Sequence, residues 1–252
     1  MTLPGSLKMT KYLNKRLFTV GMLLMLAMTV GSAACASSVN KSVHVEAGAT
    51  IEEASSVNGS ITVGEGAVVT GEASTVNGTI RIADNARVAD VSTVNGALRV
   101  SAGVQAENLG TVNGAIRVGE NATIDGGIEA VNGSIGVAKG SSVARDISNV
   151  NGEIEIVASQ VGGNLSTVSG DISLTDGSVL RGDMIVEKPG GWGWGKKPSN
   201  VPTIIVGPDS RVLGTIRLER EVKLYISDTA EVGGVEGEMS MSDAIRFSGS
   251  RP

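Results

Sequence analysis

Val112-Asn113-Gly114-Ala115-Ile116-Arg117-Val118 is one copy of a motif that returns along this chain at a nearly fixed step. The leading triplet also stands at Val57-Asn58-Gly59, Val76-Asn77-Gly78, Val94-Asn95-Gly96, Val131-Asn132-Gly133 and Val150-Asn151-Gly152. Degenerate copies, Val39-Asn40-Lys41 and Val168-Ser169-Gly170, flank the series, and every step is 18 or 19 residues. A segment that short cannot bury an apolar face by itself. It reads as one coil of a solenoid, stable only when stacked on its neighbours.

Counted from the Val, apolar residues recur at positions one, five and seven of each copy. Position five holds Val43, Ile61, Ile80, Leu98, Ile116, Ile135, Ile154 and Ile172. A small residue follows near position eleven, as at Ala49, Ala67, Ala86 and Ala122. Further aliphatics lie near thirteen and near sixteen or seventeen. Short alternating runs broken by Gly and Asn are strands joined by tight turns. Three runs per copy predict an all-β, roughly triangular, single-stranded parallel β-helix. About nine coils, each adding about 4.8 Å, make a rod about 43 Å long. Asn-Gly is the expected corner, with Asn and Gly supplying left-handed backbone. The stacked Asn58, Asn77, Asn95, Asn113, Asn132 and Asn151 can hydrogen-bond along the rod as a ladder.

Composition agrees with a thin β layer. Aromatic residues make up only 2% of the chain and Gly accounts for 35 of 252 residues. The core is therefore left to Val, Ile and Ala, which suit half-buried strands.

Residues 1–36 read as an export signal. Lys8, Lys11, Lys15 and Arg16 precede an apolar run from Leu17 to Val30 that is too short for a good spanning helix. Two cleavage readings stay open. Ala34-Cys35-Ala36 fits a small-x-small site cut after Ala36. Ser32-Ala33-Ala34-Cys35 resembles a bacterial lipobox, cut before Cys35 with acylation of that residue. Cys35 is the only cysteine, so it has no disulfide partner in the chain. Both readings place the protein in the periplasm or, as an outer-membrane lipoprotein, at the cell surface. A lipid anchor on Cys35 is then the one expected membrane contact.

Without residues 1–36 the chain carries 17 basic and 26 acidic residues, a formal charge of −9. Nucleic acid is a poor partner for such a chain. An enzyme also finds little to work with. His44 is the only histidine, and no nucleophile set, metal cluster or phosphate loop can be assembled around it. Asp84, Asp125, Asp146 and Asp176 share a repeat phase but read as turn residues. No cofactor is expected.

Two features stand out as candidate binding elements. Arg81, Arg99 and Arg117 fall at position six of three successive copies, facing outward. Asp84 and Glu120 on neighbouring turns can screen them; an anion such as lipopolysaccharide phosphate or an acidic glycan can also relieve their repulsion. The second is the irregular insertion at 187–202, which holds Trp192 and Trp194 beside Lys196 and Lys197. Exposed Trp next to cations suits sugar rings, lipid headgroups or a protein. Residues 37–235 then form the solenoid and 236–252 a terminal cap. Met239, Met241, Ile245 and Phe247 are available to cover the last coil, and self-association through an uncovered solenoid end is a further possibility.

Ser74-Thr75-Val76-Asn77-Gly78-Thr79-Ile80, Ser92-Thr93-Val94-Asn95-Gly96-Ala97-Leu98 and Ser166-Thr167-Val168-Ser169-Gly170-Asp171-Ile172 resemble the Thr-Val-Ser/Asn-Gly-Asp-Ile coils of the bacterial adhesin-like β-solenoid family. Val118-Gly119-Glu120-Asn121-Ala122-Thr123-Ile124 and Val63-Gly64-Glu65-Gly66-Ala67-Val68-Val69 are similar to the coils of bactofilins, which form cytoskeletal polymers. The likeness covers about residues 39–235. It implies a right-handed helix and transfers no catalytic residue. Hexapeptide acyltransferases share the Val-Gly-x-x-Ala-x-Ile rhythm, but their catalytic His has no counterpart in these coils. The export signal argues against a cytoskeletal role. The expectation is a non-enzymatic structural or adhesin-like protein of the cell envelope, with a glycan- or lipid-binding module or a self-polymerising scaffold as alternatives.

Overall fold

Position five is where the coils lock together. In the computed structural model, which describes residues 35–189 and 201–252, Ile116 sits in parallel register with Leu98 on one side and Ile135 on the other. The same register links every coil into a parallel β-solenoid. One sheet holds eleven short strands in strict chain order, from Val43–Val45 to Ile245–Phe247. This is the first wall. A second sheet of sixteen strands carries the rest of each coil.

The coil count is eleven, two more than the motif predicts. After Ile172 the Val-Asn-Gly marker is lost, yet Ile204 still pairs with Ile172 and Leu224 with Ile204. The last strand, Ile245–Phe247, falls inside the segment expected to be only a cap. It pairs one residue out of phase, with Arg246 opposite the buried Ile226. Phe247 is consequently buried while Ile245 is 52% exposed, and Met241 stays exposed as well. Met239 does pack against the core.

Three separate strand segments occur in the coil at 43–56 and in the four coils from Ile116 to Val186. In the coils between and after these, the second and third runs fuse into single strands such as Val68–Asn77, Arg87–Asn95 and Arg211–Leu218, with a register shift between Val69 and Glu72. Both arrangements continue the same sheet.

The core is one apolar column set: position five, position seven, and the aliphatics of the other two walls, nearly all fully buried. Position one departs from the expected pattern. Val57, Val76, Val94, Val112, Val131, Val150 and Val168 are only half-buried and lie outside the core cluster. The inward residue beside each is instead a polar one. Thr75, Thr93 and Thr111 are buried and donate to the carbonyls of Gly59, Gly78 and Gly96 at 2.9–3.1 Å. Asn149 does the same for Gly133 at 3.2 Å. Ala130 is the gap in this column, in register between Thr111 and Asn149.

The corner chemistry also differs from expectation. The Asn of the repeated triplet has no left-handed backbone, and among the triplet glycines only Gly152 has a positive φ, 125°. Glycine is required there by close stacking. A Cβ on Gly78, Gly96, Gly114 or Gly133 would collide with the carbonyl oxygen of the equivalent glycine one coil earlier. Left-handed backbone belongs to the next corner, at Gly48, Gly66, Asn85, Gly103, Asn121, Gly140 and Ala158. A third corner is tied by Asp146, Asn164 and Asp183, whose side-chain oxygens accept the backbone N–H of Asn164, Asp183 and Thr215.

Candidate functional site

The first wall presents its middle residue outward on every coil. From Thr62 onward that column reads Thr62, Arg81, Arg99, Arg117, Gly136, Glu155, Ser173. The three arginines therefore stand directly above one another, one strand spacing or about 4.8 Å apart. All three are exposed. Neither carboxylate expected to screen them forms an ion pair with them. Glu120 pairs with Lys139 at 3.4 Å, and Asp84 accepts the backbone N–H of Ala102 at 3.0 Å. Among the described residues no carboxylate forms an ion pair with Arg81, Arg99 or Arg117.

Four residues before each arginine lies the asparagine column. Asn77, Asn95, Asn113, Asn132 and Asn151 each donate Nδ2 to the Oδ1 of the asparagine one coil earlier, at 2.9–3.1 Å. The ladder starts at Asn40 through Asn58. It stops after Asn151, because the next position is Ser169. Every member is exposed. A primary amide in such a chain uses one N–H and one lone pair, leaving the second of each toward solvent.

Between the two columns the residues are small: Thr79, Ala97, Ala115 and Ser134. On the far side of the arginines Ala83, Ser101, Gly119 and Ala138 are small too. At Gly136 the column loses its side chain, and a depression of about 500 Å³ opens. Arg117 and Lys139 line it with Glu120, Glu153 and Glu155. Gly136 is not a packing requirement, since a Cβ there would meet nothing within 4 Å.

The other candidates are dispersed. His44 lies in the same outward column at the first coil, 3.7 Å from Glu46. Asp146 caps backbone, and Asp176 has left-handed backbone in a turn. Cys35 is exposed and opens the strand Cys35–Ser38, which pairs with Glu53–Ser56; Ala36 in that strand packs on the core. Trp192, Trp194, Lys196 and Lys197 lie outside the described residues, as does the expected signal up to Ala34. The insertion that contains them leaves the coil register intact, with Leu174 still opposite Val206 and Asp171 accepting the N–H of Thr203 at 2.7 Å.

Burial shifts two carboxyls upward, Glu72 and Glu187, the second helped by the charge of Glu219. Burial raises Glu72 above the ordinary carboxylate value, a hydrogen bond from Ser92 at 2.6 Å opposes this, and Asp90 and Glu53 reinforce it. These three acids are successive rungs of one column. Sequence reading missed it because the bulge at Val69/Glu72 shifts the phase of the repeat. The depression at Gly136 was also missed. Its only signal was one Gly among Arg and Glu at position six.

No family model, curated protein or solved structure matches this chain.

Proposed function

We propose that this protein is an exported, non-enzymatic β-solenoid that serves as a rigid structural and adhesive rod in the bacterial envelope. The observation that carries the reading is how the repeated polar residues are used. The Asn, Thr and Asp/Asn columns all bond from coil to coil or onto backbone, which stiffens the rod and leaves its long outer walls as presentation surfaces. Loops commonly carry function on a scaffold of this kind, and so can a flat wall.

Of the two cleavage readings, the strand Cys35–Ser38 supports the cut before Cys35. That cut keeps the whole strand, including the packed Ala36; a cut after Ala36 removes half of it. The rod is then held to a membrane by a lipid on Cys35. Expression in a Gram-negative host, followed by fractionation and intact mass, tests this. A membrane-associated chain starting at acylated Cys35 is expected. A chain that keeps residues 1–34 and stays in the cytosol overturns the export reading, and turnover of an envelope glycan by the purified protein overturns the non-enzymatic one.

A further inference from the structure

We propose that the first wall binds an acidic polysaccharide laid along the rod axis. Carboxylates engage Arg81, Arg99 and Arg117, hydroxyls engage Asn77, Asn95 and Asn113, and one sugar ring enters the depression over Gly136. The inference rests on the reading of the rod as a non-enzymatic presentation surface and names what that surface takes.

Four observations converge. Three guanidinium groups are stacked in register on a chain of net negative charge, without an ion pair to any described carboxylate. Stacked like charges are unfavourable in themselves, so the arrangement is one that an anion relieves. Guanidinium is the side chain best shaped to grip a carboxylate through two parallel hydrogen bonds. The small residues flanking the column let each arginine lean to either side, which suits a chain whose carboxylates alternate from ring to ring.

The asparagine ladder decides in favour of a glycan over a bare polyanion. It runs parallel to the arginines along the same coils and offers an exposed donor and acceptor at each step. The free N–H of each amide could serve a phosphate, but only a partner with hydroxyls uses the free acceptor as well.

Gly136 is the fourth observation. Gly weakens a strand and often marks close approach of a ligand. Nothing in the packing asks for Gly here, because the space above it is open. The polysaccharide meets backbone at that step, with Arg117 on one side and Glu153 and Glu155 on the other, so the ring there turns its hydroxyls, not its carboxylate, into the depression and the run of anionic contacts ends.

The test uses the exported full chain and isothermal titration with oligomers of polygalacturonate, with the same oligomers methyl-esterified, and with phosphatidylglycerol vesicles. Binding of the free acid, loss of at least about tenfold on esterification, and a similar loss in R81Q/R99Q/R117Q are expected, tenfold being about 1.4 kcal/mol. Gly136→Val should raise thermal stability and still weaken binding severalfold, a combination that a misfolded variant cannot give. Equal binding of acid and ester, binding of vesicles alone, or unchanged affinity in the arginine variant overturns the proposal. If the oligomers are bound and cleaved, the non-enzymatic reading fails and the site stands. If they are neither bound nor cleaved, the site fails and the scaffold reading stands.

Discussion

The Asn113 side-chain amide donates to Asn95 Oδ1 at 2.9 Å, while the neighbouring Gly114 lies so close to the Gly96 carbonyl that no side chain fits between them. Two adjacent residues of one triplet thus have different duties. Asn113 adds an exposed hydrogen bond between coils; Gly114 permits the coils to approach. Their substitutions should separate accordingly. Asn113→Ala is expected to cost about 1 kcal/mol, the ordinary net value of one hydrogen bond. Gly114→Ala should cost about 1–3 kcal/mol from overpacking against fixed backbone. Urea unfolding of the two variants checks the order, and an Asn113→Ala that costs more than Gly114→Ala would reverse the assignment.

Ala130 interrupts an inner column in which Thr111, one coil before, donates to Gly96 O at 3.1 Å. The matching acceptor for residue 130 is the Gly114 carbonyl. Ala130→Thr places a hydroxyl in a slot that its neighbours on both sides fill with polar side chains. It should stabilise the fold by about 0.5–1.5 kcal/mol. A lower urea midpoint would mean that the slot at residue 130 is tighter than at residues 111 and 149.

Ala158 holds a left-handed backbone, φ 44°, at the corner where Gly48, Gly66, Gly103 and Gly140 stand in other coils. An alanine there carries a steric cost of roughly 1–2 kcal/mol that glycine avoids, offset in part by the greater freedom of glycine in the unfolded chain. Ala158→Gly is therefore expected to raise stability by up to about 1 kcal/mol. Thermal unfolding beside a Gly140→Ala control, expected to move the other way, checks the sign.

Much of this architecture is legible in the sequence because a period of one coil prints every structural column as a recurring residue type. Ile116 and its equivalents identify the core at position five, and they are buried. The same logic misassigns Val112, whose regular recurrence looks like core but is half-exposed. Periodicity shows that a residue is repeated, not which way it points. It also cannot distinguish a glycine needed for φ from one needed for close stacking, and so the left-handed corner was placed at Asn-Gly. Beyond Ile172 the Asn-Gly marker is lost, but the apolar runs at 203–206 and 222–226 still read as resumed coils, and Ile204 and Leu224 do pair in register there. The arginine column could be read from spacing. Its lack of carboxylate partners could not, since the engagement of Glu120 by Lys139 crosses between coils.

The same contrast is measurable. Ile116 is fully buried between Leu98 and Ile135. Ile116→Ala should cost about 2–5 kcal/mol, and because coils are stabilised by their neighbours the loss weakens both adjoining interfaces. Val112→Ala, on the outer face of the same coil, should cost less than half as much. Hydrogen exchange of the amides in the two adjoining coils provides a second readout; equal protection in both variants would contradict the nearest-neighbour picture.

Glu72 supplies a pH signature. Its carboxyl is raised chiefly by burial, with Asp90 and Glu53 adding to the shift and the Ser92 hydrogen bond opposing it. A folded-state value above the unfolded one means that the native state holds the proton more tightly. The stabilising contribution is fully present below the unfolded value, about 4.3 for a free Glu side chain, and it is lost as pH rises through the folded value. In its ionised form Glu72 works against the fold. Glu72→Gln should therefore be more stable than the parent at about pH 7 and nearly equal to it at about pH 4. The difference stays within about 1 kcal/mol, because the group is partly exposed and screened by solvent. Urea midpoints for both proteins at the two pH values test it. A gap that widens toward acid would show that Glu72 is stabilised as the carboxylate, and the Ser92 hydrogen bond would then outweigh burial.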